Sequence, residues 1–141
     1  MQDISLHIMD IAQNAITANA GRIEISVTEN PAVHSLEIII RDDGCGMDEQ
    51  TLHTALSRSP SRNPHERGRG IPLFKAACEK TGGKFHLTSE PGTGTAVKAV
   101  FLTNHPDMLP MGKIHETICL LIACNPDINF VYGGITLNEI R

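Results

Sequence analysis

The sequence predicts an α/β fold built around a single core. Two observations lead there. Apolar residues at helical spacing alternate along the chain with runs of strand period, and turn-forming Gly, Pro and Asn residues separate them. The length, 141 residues, suffices for one domain with a real hydrophobic interior.

Residues 3–19 read as the first helix, with Ile4, Ile8, Ile11 and Ala15 as its apolar stripe. A second stripe is polar: Asp3, His7, Asp10, Asn14 and Thr17. Asp10 and Asn14 are four apart and share a face. Asn is poor in a helix interior because its side chain competes for backbone hydrogen bonds. A polar stripe is ordinarily a solvated face. The alternative is a site in which the Asn14 oxygen binds Mg²⁺, a hard cation that takes oxygen ligands, with Asp10 as general base. Gly21 is the expected left-handed cap. Arg22 to Thr28 alternates as a half-buried strand, and Ser35 to Asp42 is the next; Glu29-Asn30-Pro31 between them points to an antiparallel hairpin.

The second strand delivers Asp42-Asp43-Gly44-Cys45-Gly46-Met47. A carboxylate at a strand end, followed by two glycines, is either a simple turn or a place where a ligand meets the main chain. In the second reading Asp42 accepts a hydrogen bond from a ligand amino group. A short helix, 48–56, follows with Asp48 as N-cap. Residues 57–67 hold two prolines and three arginines, a composition suited to a surface loop or a lid over a site. Gly68-Arg69-Gly70 then opens a helix reaching Lys80, and glycines at a helix N-terminus suit an anion such as phosphate. Thr81-Gly82-Gly83 ends that helix. Strands 84–89 and 95–102 follow around Glu90-Pro91-Gly92, and Gly92-Thr93-Gly94-Thr95 leads into the second of them.

Residues 104–112 look like a linker. Residues 113–124 read as a helix that is apolar nearly all round and is therefore expected to be buried. Asn129–Tyr132 and Ile135–Leu137 are short strand candidates about Gly133-Gly134, suggesting a hairpin.

A formal net charge of −4 argues against a nucleic-acid or membrane-surface protein, and no apolar run is long enough to cross a bilayer. The cytoplasm is the expected compartment. The four cysteines form no CxxC pair, so a zinc ribbon is not expected. Gly68-Arg69-Gly70 lacks the third glycine of a dinucleotide fingerprint, and P-loop, HExxH and GxSxG patterns are absent.

The order of these signals resembles the GHKL ATP-binding fold of gyrase, the large heat-shock chaperone, sensor histidine kinases, mismatch-repair ATPases and anti-sigma-factor kinases. The resemblance covers about 1–104, with a lid at about 57–70, and leaves 105–141 as a C-terminal extension. It implies a two-layer α/β sandwich, a mixed and mostly antiparallel sheet with helices on one face. It implies ATP and Mg²⁺ as ligands. Asn14 would hold Mg²⁺ against the phosphates, and Asp10 takes the position of the general base. Asp42 would accept from the adenine amino group, with Gly44, Gly46 and Met47 lining the adenine slot. Gly68 and Gly70 would contact phosphates; Arg58, Arg62, Arg67 and Arg69 in and beside the lid either neutralise γ-phosphate charge or are simply solvated; and Thr95 would join the water network around adenine.

Two departures bear on rate. Asp10 is shorter than the Glu usual at the base position, and Pro72 replaces a glycine of the commoner GxGxG pattern, which removes an N–H donor. As a compact domain the chain is most similar to the anti-sigma-factor, serine/threonine-kinase-like branch. Three functions follow from the resemblance: an ATP-binding regulator that phosphorylates a protein partner, a slow ATPase whose lid drives homodimerisation or partner release, and a non-catalytic ATP/ADP sensor.

Overall fold

A computed structural model describes residues 3–57 and 70–137. The chain runs α1 (Ile4–Thr17), β1 (Arg22–Asn30), β2 (Ser35–Asp42), α2 (Glu49–Ser57), α3 (Gly70–Lys80), β3 (Lys84–Glu90), β4 (Gly94–Leu102), α4 (Ile114–Cys124) and β5 (Asn129–Leu137). The five strands form one open sheet in the order β3-β4-β2-β1-β5. The expected hairpin is present, with Ile25 opposite Ile40 and Val27 opposite Ile38. β2 also pairs antiparallel with β4, and β4 with β3, so β2 lies in the interior of the sheet.

One face of the sheet is apolar in register. Ile25, Ile40, Val97 and Leu87 lie side by side across four strands, as do Val27, Ile38, Ala99 and Phe85. The same side chains, with Ile4, Ile8, Ile11, Ala15 and Phe74 from the helices, make the core. The opposite face carries Glu24, Arg41, Lys98 and His86, as the period of two requires. This is the expected two-layer sandwich, with helices on one face of a mixed sheet.

Three local expectations change. The left-handed residue after α1 is Asn19 (φ 61°), not Gly21. Asn tolerates that region better than most residues because its polar side chain can bond locally. α4 buries Ile114, Ile118 and Leu121 but leaves Leu120 and Ile122 exposed, so it is not covered all round. Residues 129–137 form one strand rather than a hairpin. It pairs parallel to β1 at the sheet edge, with a register shift between Ile25 and Val27 where Gly133 and Gly134 fall. The segment expected as an extension thus supplies the fifth strand, and α4 packs against α1.

α1 is capped by Asp3, whose Oδ1 accepts from the Leu6 N–H at 2.9 Å and from the Ser5 hydroxyl. Asp48 caps α2 through the Thr51 N–H at 2.8 Å. α3 closes with Gly82 at φ 84° and the Gly83 N–H donating back to the Cys78 carbonyl, a Schellman-type end.

Candidate nucleotide site

β2 sits between two partners, so its last residue is held in place by pairing on both sides. Asp42 lies opposite Ile23 of β1 and Thr95 of β4. The turn after it folds back, and the Gly44 N–H donates to Asp42 Oδ1 at 2.8 Å. Asp42 is half-buried. Burial pushes its carboxyl above the ordinary value; the Gly44 and Thr95 N–H groups oppose that shift, and the neighbouring Asp43 charge adds to it.

The loop is fixed from three directions. The Cys45 N–H donates to the Ala18 carbonyl at the end of α1, and the Cys45 carbonyl accepts from the Gly92 N–H at 2.7 Å. Gly46 takes φ 70°, and a Cβ there would drive into the Glu90 carbonyl, so only glycine admits the β3–β4 turn this close. The Met47 N–H donates to Ser89 Oγ at 2.8 Å. That hydroxyl reaches the Gly94 carbonyl at 3.0 Å and Thr95 Oγ1 at 2.8 Å. If Ser89 donates to the carbonyl, it accepts from Thr95, which leaves the Thr95 oxygen as an acceptor toward the cleft.

The cleft holds about 270 Å³ and is lined by Ile11, Asn14 and Ala18 of the α1 segment, Asp42, Gly46 and Met47, the α2 residues Thr51, Thr54 and Ala55, Ile71 of α3, and Thr95 and Val97 of β4. Its walls are mostly apolar, with a carboxylate, an amide and a few hydroxyls among them. That composition is usual for a small-molecule site.

At the far end α1 and α3 meet. A Cβ on Gly70 would lie 3.2 Å from Asp10 Cβ and 3.6 Å from Asn14 Nδ2. The first residue of α3 therefore abuts both polar residues of α1, and glycine permits that approach. Asp10 and Asn14 are half-buried. Pro72 occupies the first turn of α3, where the missing N–H takes nothing from the helix.

The structure thus brings Asn14, Asp42, Gly46, Met47 and Thr95 to one cleft, with Gly44 bracing Asp42 and with Asp10 and Gly70 adjoining Asn14. Arg67, Gly68 and Arg69 lie outside the described residues, as do Arg58 and Arg62. Ser89 went unnoticed in the sequence, since a serine near a strand end carries no signal of its own. Asp43 was missed as well. Its Oδ1 accepts from the Gly21 and Arg22 N–H groups at 2.8 and 2.9 Å, tying the turn after α1 to the loop after β2. The Arg22 and Gly21 N–H groups hold its carboxyl below the usual range. Cys45 is exposed, while burial pushes the Cys78 thiol up to about 12. Among the described residues no helix is long and apolar enough to cross a membrane.

An open mixed sheet, a polar helix face beside a glycine-opened helix, and a carboxylate at the end of an interior strand make an α/β sandwich with a small-molecule cleft at one end. Comparison with known proteins agrees. Residues 2–105 match the family described as "Histidine kinase-, DNA gyrase B-, and HSP90-like ATPase". The cell-division control histidine kinase PdhS of Brucella abortus is 30% identical over 109 residues, covering 66% of this chain and 10% of the kinase. PdhS of Brucella ovis is 31% identical over 108 residues, with 66% and 10% covered. The ADP-complexed MutL ATPase domain of Aquifex aeolicus superimposes with a TM-score of 0.61 at 11% identity, over 99% of this chain and 61% of that one. This last similarity speaks to fold alone. The chain belongs to the histidine kinase-, DNA gyrase B- and HSP90-like ATPase family. It spans about a tenth of the length of the curated kinases it matches.

Proposed function

We propose that this domain binds Mg-ATP in the cleft and passes the γ-phosphoryl group to a serine or threonine hydroxyl of a protein partner, as a regulator of the anti-sigma-kinase type. The observation that carries the nucleotide reading is Asp42. It is half-buried beside an apolar cleft, its Oδ1 is engaged by the Gly44 N–H, and the backbone N–H groups offset its burial only in part, so a ligand donor would be favoured there. An exocyclic adenine amino group donates; the guanine oxygen at the same ring position does not, which selects ATP over GTP. An ATP requirement also suits a cytoplasmic location.

Asn14 offers a neutral oxygen of the kind Mg²⁺ accepts. Among the described residues no group of three or more His, Cys, Asp or Glu side chains could hold a metal ion, so Asn14 would share the ion with phosphate oxygens. Mg²⁺, when bound, neutralises phosphate charge. Gly70 lets the start of α3 approach Asp10 and Asn14 closely, so the positive end of that helix, which favours a phosphate, lies beside them. Asp10 would orient the attacking hydroxyl and take its proton as the new O–P bond forms and the bond to the ADP leaving group breaks.

A second reading has an observation of its own. α2, which lines the cleft through Thr51, Thr54 and Ala55, contains no fully buried residue. A wall so lightly anchored suits a sensor whose shape follows the bound nucleotide.

Titration calorimetry with Mg-ATP, Mg-ADP and Mg-GTP tests the binding step. Adenine nucleotides alone should bind, and failure of the wild type to bind any of them overturns the proposal. Labelled phosphate should then move from ATP to a partner hydroxyl in the wild type and not in Asp10→Asn. Tight binding without transfer or hydrolysis selects the sensor.

A further inference from the structure

The face of the sheet away from the helices is open, and one part of it is hollow. Glu24 and Ser26 of β1, Ile39 and Arg41 of β2, and Val131 and Gly133 of β5 line a groove of about 360 Å³ there. The register explains the hollow. Ser26 lies opposite Ile39, and Glu24 lies between Arg41 and Val131. Long side chains therefore stand at the rim. Between Ile25 and Val27 the β1–β5 pairing shifts, and only the small Ser26 and the bare Gly133 remain for the floor.

Packing does not demand glycine at 133. A Cβ there would meet nothing within 4 Å, and Gly133 is not among the glycines of positive φ. Its effect is to keep the floor open. The apolar part of the rim is Val131, 40% exposed, and the partly exposed Ile39.

The charge in the groove is one-sided. Arg41 is exposed, and among the described residues no carboxylate pairs with it. Its cross-strand neighbour Glu24 is held by Arg22 at 2.8 Å. Glu37 lies 3.4 Å from Lys98, and Asp43 accepts from the Gly21 and Arg22 N–H groups. The acids around Arg41 are thus engaged elsewhere. A guanidinium is a planar fork of donors that matches a carboxylate, and here it stands beside exposed apolar surface.

We propose that this groove docks an acidic segment of a protein partner, with a carboxylate on Arg41 and a nearby apolar side chain in the hollow over Gly133. Charge selects this occupant over a second copy of the chain, since two copies meeting through the same face would set one Arg41 against another. Ile40 and Asp42, on either side of Arg41 in β2, face the helices. Groove and nucleotide cleft therefore lie on opposite faces of the sheet, and filling one leaves the other open. The inference concerns a surface outside the cleft and does not depend on phosphoryl transfer.

The test follows the backbone amide signals of the isotope-labelled chain by NMR during titration with the peptide acetyl-Glu-Glu-Leu-Leu-Glu-Glu-amide, without nucleotide. The signals of Ser26, Ile39, Arg41, Val131 and Gly133 should shift saturably, with a Kd of about 1 mM or below. Arg41→Gln should weaken binding about threefold or more. Gly133→Val fills the floor, where its Cβ has space, and should weaken binding about as much with Arg41 still in place. Circular dichroism checks that both variants keep the fold; if Gly133→Val does not, Arg41→Gln decides alone. Peptides with Lys for Glu, or with Ser for Leu, should bind about tenfold more weakly. The absence of shifts at the groove, unchanged affinity in Arg41→Gln, or equal affinity for either control peptide would overturn the proposal. Signals that broaden with protein concentration in the absence of peptide, and sharpen in Arg41→Gln, would place a second copy on this face and overturn the acidic partner.

Discussion

Replacing Asp42 by Asn separates binding from stability at one atom. The Gly44 N–H holds Oδ1 at 2.8 Å. An Asn at this position keeps its carbonyl oxygen toward that donor, so its NH₂ faces the cleft. The adenine amino group then meets a donor where it had an acceptor. The lost hydrogen bond to a charged group is worth about 1.5–3 kcal/mol, and the mismatched donors add to that. A total of about 3 kcal/mol weakens ATP binding about a hundredfold. Stability without nucleotide moves the other way. Burial raises the Asp42 carboxyl above its ordinary value of 3.8, so the folded state binds that proton more tightly than the unfolded chain. Folding stability therefore falls as pH rises from 3.8 through the raised value and stays lower above it. At pH 7 the uncharged Asn removes this penalty, and the ligand-free variant should melt at or above the wild-type temperature. ATP at a hundred times the wild-type Kd should then add about 2.7 kcal/mol to the wild type and only about 0.4 kcal/mol to the variant. Thermal melts with and without Mg-ATP, backed by calorimetry, read both effects. An Asp42→Asn protein that keeps ATP affinity within threefold refutes the assignment. One that is less stable without ligand at pH 7 but not at pH 3 refutes the account of the buried charge.

Three other substitutions follow from the same geometry. Asp43→Ala should lower the melting temperature at pH 7 because two backbone N–H groups lose their acceptor; since this carboxyl is held below 3.8, the gap from wild type should persist above that pH and close as pH falls through the folded value. Gly46→Ala should shift the urea midpoint downward, since the left-handed conformation alone costs an alanine about 1–2 kcal/mol and the Glu90 carbonyl blocks its Cβ; an unchanged midpoint would contradict the observed turn. Ser89→Ala strips the Met47 N–H of its acceptor, a loss of about 1–2 kcal/mol, and calorimetry should show ATP affinity reduced about tenfold while the secondary structure is retained by circular dichroism.

Helices and strands at 4–17, 22–30, 35–42, 70–80, 84–90 and 94–102 were legible because each has a clean period and a chemical stop. The hairpin was legible because Asn30-Pro31 leaves the chain little choice but to reverse. The last third was not. Residues 129–137 carry an internal Gly-Gly that suggests a turn on local grounds, yet Ile23 and Ile25 of β1 offer an open edge, and pairing with it absorbs the glycines as a register shift. For α4, a nearly uniform apolar sequence cannot say which side is covered; contact with α1 selected Ile114, Ile118 and Leu121.

The site divides in the same way. The sequence by itself determined the chemical groups and their local geometry: Asp10 and Asn14 on one helix face, Asp42 at a strand end, glycines where the main chain must turn sharply or come close. These depend on periods of a few residues. Tertiary packing alone set the start of α3 against Asp10 and Asn14, Ser89 under Met47, Asp43 between two turns, and Phe74 against His7. Each of those contacts joins residues far apart in sequence, and their positions follow from how the sheet and helices bury one shared apolar face, which no local pattern records.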